Sequence, residues 1–221
     1  MTNKTVLTFS NIKKSDLPED FSNEDDVRYT PELVRHFIDE FTRSGDVVFD
    51  PFSGFGTTLV TAEQMGRDAY GIEFDEKRAR YIQSQMKHPE RAIHGDSLNL
   101  LDYDLPDFDF VITSPPYMGR HHKENPFTAY STEGNGYHHY LADLGSIFEQ
   151  IAMKMKPGAK AVVEISNLKH DDATPTPLAW DVGKELSEIL TFVGETIINW
   201  QPTYGFGYDH SYALIFKARE V

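Results

Sequence analysis

From residue 46 onward the chain alternates short apolar runs with longer stretches whose apolar side chains recur at helical spacing. The short runs suit strands buried on both faces and the longer stretches suit amphipathic helices. Their alternation predicts an α/β fold, a mostly parallel central sheet covered by helices. A helix opens at Thr30-Pro31-Glu32, with a capping side chain, a proline at the first helical position and an acid near the positive end of the dipole. Leu33, Val34, Phe37, Ile38 and Phe41 form its apolar face, and Gly45 ends it. The pattern predicts strands over 46–49, 69–72, 92–93, 108–112 and 161–165, and helices over 59–65, 77–86, 141–155 and 178–190. Strands over 195–200 and 212–216 close the sheet as a C-terminal antiparallel hairpin. Lys156-Pro157-Gly158 predicts a turn, and the aperiodic stretch 119–140, rich in His, Gly, Asn and Thr, predicts a long substrate-side loop.

A length of 221 residues, 39% hydrophobic and 13% aromatic, supports one domain with a real core. We divide it into an acidic lead-in over 1–28, where Asp16, Glu19, Asp20, Glu24, Asp25 and Asp26 cluster, and a single domain over 29–221. No apolar run spans a bilayer and the first residues lack a secretory signal, so the expectation is a cytoplasmic protein with no membrane partner. The absence of cysteine excludes disulfides, thiolate metal sites and a cysteine nucleophile. A formal charge of -14 disfavours sequence-blind binding to a polyanion, so any nucleic-acid contact must be local.

The run Asp50, Pro51, Phe52, Ser53, Gly54, Phe55, Gly56, Thr57, Thr58 places glycines between a strand end and a helix start, where backbone can approach a ligand closely. Glu73, followed by Phe74, ends the next strand about 20 residues on, where an acid accepts hydrogen bonds from the ribose hydroxyls of a nucleoside cofactor. Asp96, followed by Ser97, could accept from the cofactor's adenine amino group or could cap a helix. The loop lacks the Gly-Lys-Ser/Thr ending that grips a triphosphate.

Ser114-Pro115-Pro116-Tyr117 follows the strand over 108–112, at the crevice where open α/β sheets bind ligands. A conjugated amino group is a poor nucleophile, and a catalyst can orient its lone pair by accepting both of its protons. The Ser114 hydroxyl and the Pro115 carbonyl suit that task. The two prolines stiffen the backbone, and Tyr117 offers a face on which an extruded base stacks.

With these motifs the chain resembles the DNA amino-methyltransferases, which modify cytosine at N4 or adenine at N6. The resemblance covers most of the chain. Residues 29–43, beginning with Tyr29 and Thr30, look like the family's cofactor-side helix and 50–58 like its cofactor loop. Glu73, Asp96 and the tetrad fall in step, and 155–158 with the following strand look like the family's turn and fifth strand. The resemblance implies a Rossmann-like fold, S-adenosylmethionine as cofactor, and DNA methylation by direct in-line transfer. Ser in the tetrad's first place is commoner among the cytosine-N4 enzymes, which favours cytosine.

The family usually carries a separate target-recognition domain, for which this chain has no long enough stretch. Arg120, His121, His122, Lys123 and Tyr130, in the 119–140 loop, are the candidates to meet phosphates and bases. The histidine pairs lack metal-ligand spacing, so no metal is expected. A second copy of the chain or a specificity partner could supply target choice. Two rivals stand beside this reading: an RNA base amino-methyltransferase, and a non-catalytic cofactor-binding subunit that needs a partner.

Overall fold

The computed structural model describes residues 5–12, 17–21, 28–128, 136–170, 173–202 and 207–219. In chain order its elements are β1 (Val6–Ser10), α1 (Pro31–Phe41), β2 (Val47–Asp50), α2 (Thr57–Gln64), β3 (Asp68–Glu73), α3 (Glu76–Gln85), β4 (Ala92–His94) and β5 (Phe108–Thr113). There follow α4 (Tyr137–Lys154), β6 (Met155–Ile165), β7 (Leu168–His170), β8 (Ala173–Thr176), α5 (Leu178–Ser187), β9 (Thr191–Gln201) and β10 (His210–Lys217). Eight strands form one sheet in the order β1-β9-β10-β6-β5-β2-β3-β4. The five from β6 to β4 are parallel, whereas β10 runs antiparallel to both β6 and β9.

The sheet is buried on both faces, which is why its strands read as nearly continuous apolar runs. On one face Val48, Phe110, Ile112 and Val162 pack against Leu33, Val34, Phe37 and Ile38 of α1 and Leu59 of α2. On the other, Phe49, Val111 and Val163 pack against Leu144, Ile147, Phe148 and Ile151 of α4 and Val182 of α5. Each such side chain contributes about 1.5–3 kcal/mol when fully buried. Because the central strands are parallel, the carboxyl ends of β2, β3, β5 and β6 all open at one edge, and the site lies there.

Several boundaries depart from the sequence pattern. Thr30 precedes α1 with an extended backbone, but its side chain makes no capping bond; it is fully buried and its hydroxyl has no hydrogen-bond partner among the described residues. Thr42, not Gly45, ends α1, its amide donating to the Ile38 carbonyl. Gly45 instead turns the chain into β2 at φ 85°. Residues 6–10, inside the acidic lead-in, join the sheet parallel to β9. The stretch 156–158 falls inside the span of β6 yet leaves its ladder with β5, as the expected turn requires: Met155 pairs with Phe108 and Lys160 with Phe110, and Gly158 turns at φ 82° between them. Helix α4 begins at Tyr137, so the loop before it is shorter than its composition suggests. The β7–β8 pair was not legible as strands, because neither segment alternates apolar and polar side chains. Among the described residues no helix is long and apolar enough to cross a membrane.

Candidate active site

The loop from Asp50 to Thr58 leaves β2 and turns into α2 through Gly54 (φ 56°) and Gly56 (φ 81°). A Cβ on Gly56 would lie 2.9 Å from Ile82 Cγ2 of α3, so both its backbone and its space require glycine. The tip is pinned by Phe55, 6% exposed, which meets Phe21 edge-on at 5.2 Å and lies under the Arg78 guanidinium at 4.8 Å. The Ser53 amide donates to the Ile72 carbonyl (3.0 Å) and the Ser97 hydroxyl to the Pro51 carbonyl, tying the loop to β3 and to the segment after β4.

Asp50 is the hub beneath the loop. It is buried, and its carboxylate accepts from Thr113 Oγ1 (2.6 Å), the Phe52 amide (3.0 Å) and Tyr29 Oη (3.4 Å). The Tyr29 hydroxyl also shares a hydrogen bond with Thr58 Oγ1. Burial pushes the Asp50 carboxyl above its usual range, against the hydrogen bonds from Thr113, Thr58, Phe52 and Tyr29 that hold it down. Burial, and then the neighbouring Asp50, push the Tyr29 hydroxyl well up, so Tyr29 stays protonated and acts as a donor. One carboxylate thus joins the approach to α1, the glycine loop and the end of β5.

Glu73 ends β3 facing the same loop. Its two oxygens accept from the Gly54 amide (2.7 Å) and the Asp75 amide (2.9 Å), and each oxygen keeps a further lone pair. Burial raises its carboxyl, while those two amides and the nearby Arg78 charge pull it back. Phe74 beside it is 55% exposed and turns an aromatic face outward. Asp96 accepts from the Leu98 amide (3.0 Å), which makes it the cap of a short 3-10 turn over 97–102, and its own amide donates to the Tyr103 hydroxyl (2.8 Å). Capping occupies one lone pair of the carboxylate and leaves others available.

Ser114 to Tyr117 leave the end of β5 between the cofactor loop on β2 and the end of β6. The Tyr140 hydroxyl of α4 donates to the Pro116 carbonyl (2.9 Å), and the next side chain, Met118, is fully buried. The tetrad is therefore held from below rather than left as a swinging loop. Tyr117 is half-buried, and its hydroxyl donates to Glu164 Oε2 at 3.3 Å.

Glu164 escaped the sequence reading. It is a fully buried carboxylate on β6, and the signal for it was an acid standing inside the apolar run Ala161-Val162-Val163-Glu164-Ile165. Tyr140 and Thr113 were also missed, since nothing in their spacing separates them from ordinary core and strand residues.

On the substrate side, Arg120 is exposed but tied back to α5 and α4. Its guanidinium binds Asp181 (2.7 Å) and lies over the Tyr137 ring at 5.6 Å, and its amide donates to Thr176 Oγ1 (3.0 Å). His121 and His122 are exposed with their rings edge-on at 4.4 Å, and His122 Nδ1 accepts from the Gly119 amide. Lys123 is exposed beside them, and Tyr130 lies outside the described residues. Among the described residues no group of three His, Cys, Asp or Glu side chains is placed to hold a metal.

Residues 5–84 match a family model described as DNA methylase, of the N6/N4 type. The type II methyltransferase M.MjaII of Methanocaldococcus jannaschii is 41% identical over 46 residues, which cover 21% of this chain and 9% of that protein. M.BsoBI of Geobacillus stearothermophilus is 46% identical over 46 residues, covering 20% of this chain and 9% of its own. The match thus spans about a tenth of either relative's length. Among solved structures, TrmN from Thermus thermophilus superposes with a TM-score of 0.61 at 15% identity, over 86% of this chain and 49% of that one. A 16S rRNA N2 methyltransferase (RsmC) from T. thermophilus, solved with AdoMet and guanosine, gives 0.56 at 16% identity, over 90% and 45%. At such identities the likeness shows a shared Rossmann-like methyltransferase fold.

Proposed function

We propose, from the match of residues 5–84 to the DNA methylase family model, that the chain transfers a methyl group to an exocyclic amino nitrogen of a nucleobase, with cytosine N4 in DNA as the target. The observation that carries this reading is the juxtaposition at one sheet edge: the tetrad on β5 stands directly beside the glycine loop on β2. An acceptor for an amino group and a cradle for a nucleoside cofactor therefore share one crevice.

The residues present fit S-adenosylmethionine. Glu73 offers the remaining lone pairs of its carboxylate to ribose hydroxyls, and Phe74 and Asp96 flank the place of an adenine. Gly54 and Gly56 let backbone come close, and the buried Thr30 hydroxyl has no partner among the described residues. When bound, the cofactor supplies a methyl carbon made electrophilic by its sulfonium. The chain's own residues do the rest. The Ser114 hydroxyl and the Pro115 carbonyl accept the two amino protons and aim the nitrogen lone pair, and Tyr117 stacks on the extruded base. As positive charge grows on the nitrogen, both oxygens and the ring face stabilise it more than they stabilise the starting amine.

Purified protein is incubated with tritiated S-adenosylmethionine and duplex DNA, single-stranded DNA or total RNA, and the products are digested to nucleosides. N4-methylcytosine from DNA is the expected product. N6-methyladenine would move the base assignment, label in RNA alone would favour the RNA reading that the RsmC likeness brings, and cofactor binding without transfer would leave a non-catalytic subunit. His121, His122, Lys123 and Tyr130 are assigned to the nucleic-acid side, and Arg120 to holding the loop that presents them.

A further inference from the structure

A carboxylate in an apolar strand costs the fold several kcal/mol of lost hydration unless its setting compensates. Glu164 is fully buried, in a strand whose neighbours Val162, Val163 and Ile165 are all core. A valine or an isoleucine there would leave the sheet intact without that cost, so a hydrogen-bond acceptor at this place points to a task. Its place suggests which one. Thr113 of β5 pairs with Val163 of β6, so Glu164 lies one step further toward the open edge, alongside Ser114. On its other side it pairs with Ala213 of β10, whose small side chain leaves room. The two buried carboxylates, Asp50 and Glu164, thus flank the tetrad strand from β2 and β6, and the Tyr29 hydroxyl feels the negative charge of both.

The contact that carries the argument is the hydrogen bond from the Tyr117 hydroxyl to Glu164 Oε2 at 3.3 Å. Tyr117 is the last residue of a tetrad whose first three positions are fixed by strand, proline ring and the Tyr140 bond to the Pro116 carbonyl. Its backbone is therefore settled, but its ring can still turn about its two side-chain torsions. A base stacks only on a ring of the right plane, and tethering the hydroxyl to a buried, immobile carboxylate fixes the first torsion, while the preference of the phenolic O–H for the ring plane draws that plane toward the carboxylate oxygen. The ring packs on the core at one end and is anchored by its oxygen at the other.

We infer that Glu164 is a positioning residue for base methylation, holding the Tyr117 ring in the plane on which the target base stacks; this rests on the methyl-transfer reading above. Glu164 itself touches neither methyl group nor amino nitrogen in this role. It acts through Tyr117, so removing either end of the hydrogen bond has the same consequence. An acceptor at that place suffices, so the amide oxygen of glutamine restores most of the effect.

The test is a double-mutant cycle on the full chain with Tyr117→Phe, Glu164→Leu, Glu164→Gln and the Tyr117→Phe/Glu164→Leu pair. The readout is steady-state tritiated-methyl transfer to whichever of duplex DNA, single-stranded DNA or total RNA the wild type labels best. Calorimetry supplies the Kd for S-adenosylmethionine, and circular dichroism the fold. Tyr117→Phe and Glu164→Leu should each lower kcat by about ten- to a hundredfold, the scale of a small misplacement at a reacting centre. The pair should be no worse than either alone, Glu164→Gln should stay within a few-fold of wild type, and cofactor Kd should hold in all four.

Losses that multiply in the pair, or Tyr117→Phe at the wild-type rate, would overturn the positioning role while leaving methyl transfer intact. Glu164→Gln as slow as Glu164→Leu would overturn it as well. Should Glu164→Leu not fold, Tyr117→Phe against Tyr117→Phe/Glu164→Gln decides the same point: equal rates support the tether and a further loss in the pair overturns it. Wild-type protein that binds the cofactor and labels none of the three nucleic acids overturns both readings.

Discussion

The Gly54 amide donates to Glu73 Oε2 at 2.7 Å, so the acid that ends β3 holds the tip of the glycine loop that follows β2. A single carboxylate therefore shapes the loop while still offering lone pairs to a ligand, and the loop and its acid act as one unit.

If the proposed site holds, this coupling makes cofactor binding sensitive to acid. Burial raises the Glu73 carboxyl above its usual range, so the folded protein favours the protonated form. Its contribution to stability is full below the ordinary glutamate range and is lost as pH rises through the raised value. In the proposed site binding runs the other way, because only the ionised group could accept from its two amides and from two ribose hydroxyls together. The affinity for S-adenosylmethionine should fall on acidification at a pH above that of an ordinary glutamate. Asp50 is raised by burial too, and Glu73→Gln separates them. The variant should bind more weakly by about 1.5–3 kcal/mol, the worth of a hydrogen bond to a charged group, and lose the Glu73 share of the pH dependence. Isothermal titration from neutral pH down to the glutamate range measures both, and a flat wild-type profile would refute the assignment.

Glycine is demanded for different reasons at two positive-φ positions. Gly56 sits at φ 81° with a would-be Cβ 2.9 Å from Ile82 Cγ2, whereas Gly45 sits at φ 85° with nothing within 4 Å. Alanine at Gly45 meets backbone strain alone, about 1–3 kcal/mol. Alanine at Gly56 meets the same strain and must also push α3 off the loop. Thermal melts should show both variants destabilised, Gly56→Ala the more, and only Gly56→Ala should weaken cofactor binding. Equal shifts in Tm with intact binding in both would mean that α3 yields without disturbing the loop.

Much of this arrangement was legible in the chain. The strands β2, β3 and β5 were readable because parallel strands buried on both faces leave continuous apolar runs, as in Val47-Val48-Phe49 and Phe110-Val111-Ile112. The crevice was readable because Gly54, Gly56 and the proline pair punctuate strand ends. What stayed hidden depends on contacts between segments far apart in sequence. Thr113 reaches Asp50 across 63 positions and Tyr117 reaches Glu164 across 47, and no local periodicity records such pairs. Arg120 read as a phosphate contact because its neighbours are polar, but its acceptor, Asp181, lies 61 positions on. The β1 strand was missed because Val6 to Ser10 forms an edge whose side chains are exposed or only half-buried, so it lacks the apolar signature of the centre.

Two cations of the 119–140 loop should behave differently toward nucleic acid. The Arg120 guanidinium is bound to Asp181 at 2.7 Å, while Lys123 is exposed on the loop. A lysine that contacts phosphate contributes about one unit to the salt slope of binding. Lys123→Ala should weaken binding to the preferred nucleic acid and lower that slope by about one. Arg120→Ala should weaken binding with little change in slope, because it loosens the loop from α5. Fluorescence anisotropy with a labelled oligonucleotide across a salt series reads both numbers, and a slope change confined to Arg120→Ala would exchange the two roles.

Thr30 offers the sharpest separation of folding from binding. Its hydroxyl is fully buried at the start of α1 without a hydrogen-bond partner among the described residues, next to Tyr29, whose own hydroxyl is taken up by Thr58 and Asp50. A buried hydroxyl without a partner costs about 1–3 kcal/mol, and a cap bond that would offset this is not made. Valine keeps the shape and removes the oxygen. Without ligand, Thr30→Val should therefore melt at or above the wild-type temperature, which is rare for a substitution at a fully buried position. If the hydroxyl is reserved for the cofactor, the same variant should bind S-adenosylmethionine more weakly by about 0.5–1.5 kcal/mol, the net value of one neutral hydrogen bond. A ligand-induced rise in Tm smaller than that of wild type, from a higher starting point, is the expected signature. Equal affinity with higher stability would show Thr30 to be a flaw in the packing and would remove it from the cofactor site.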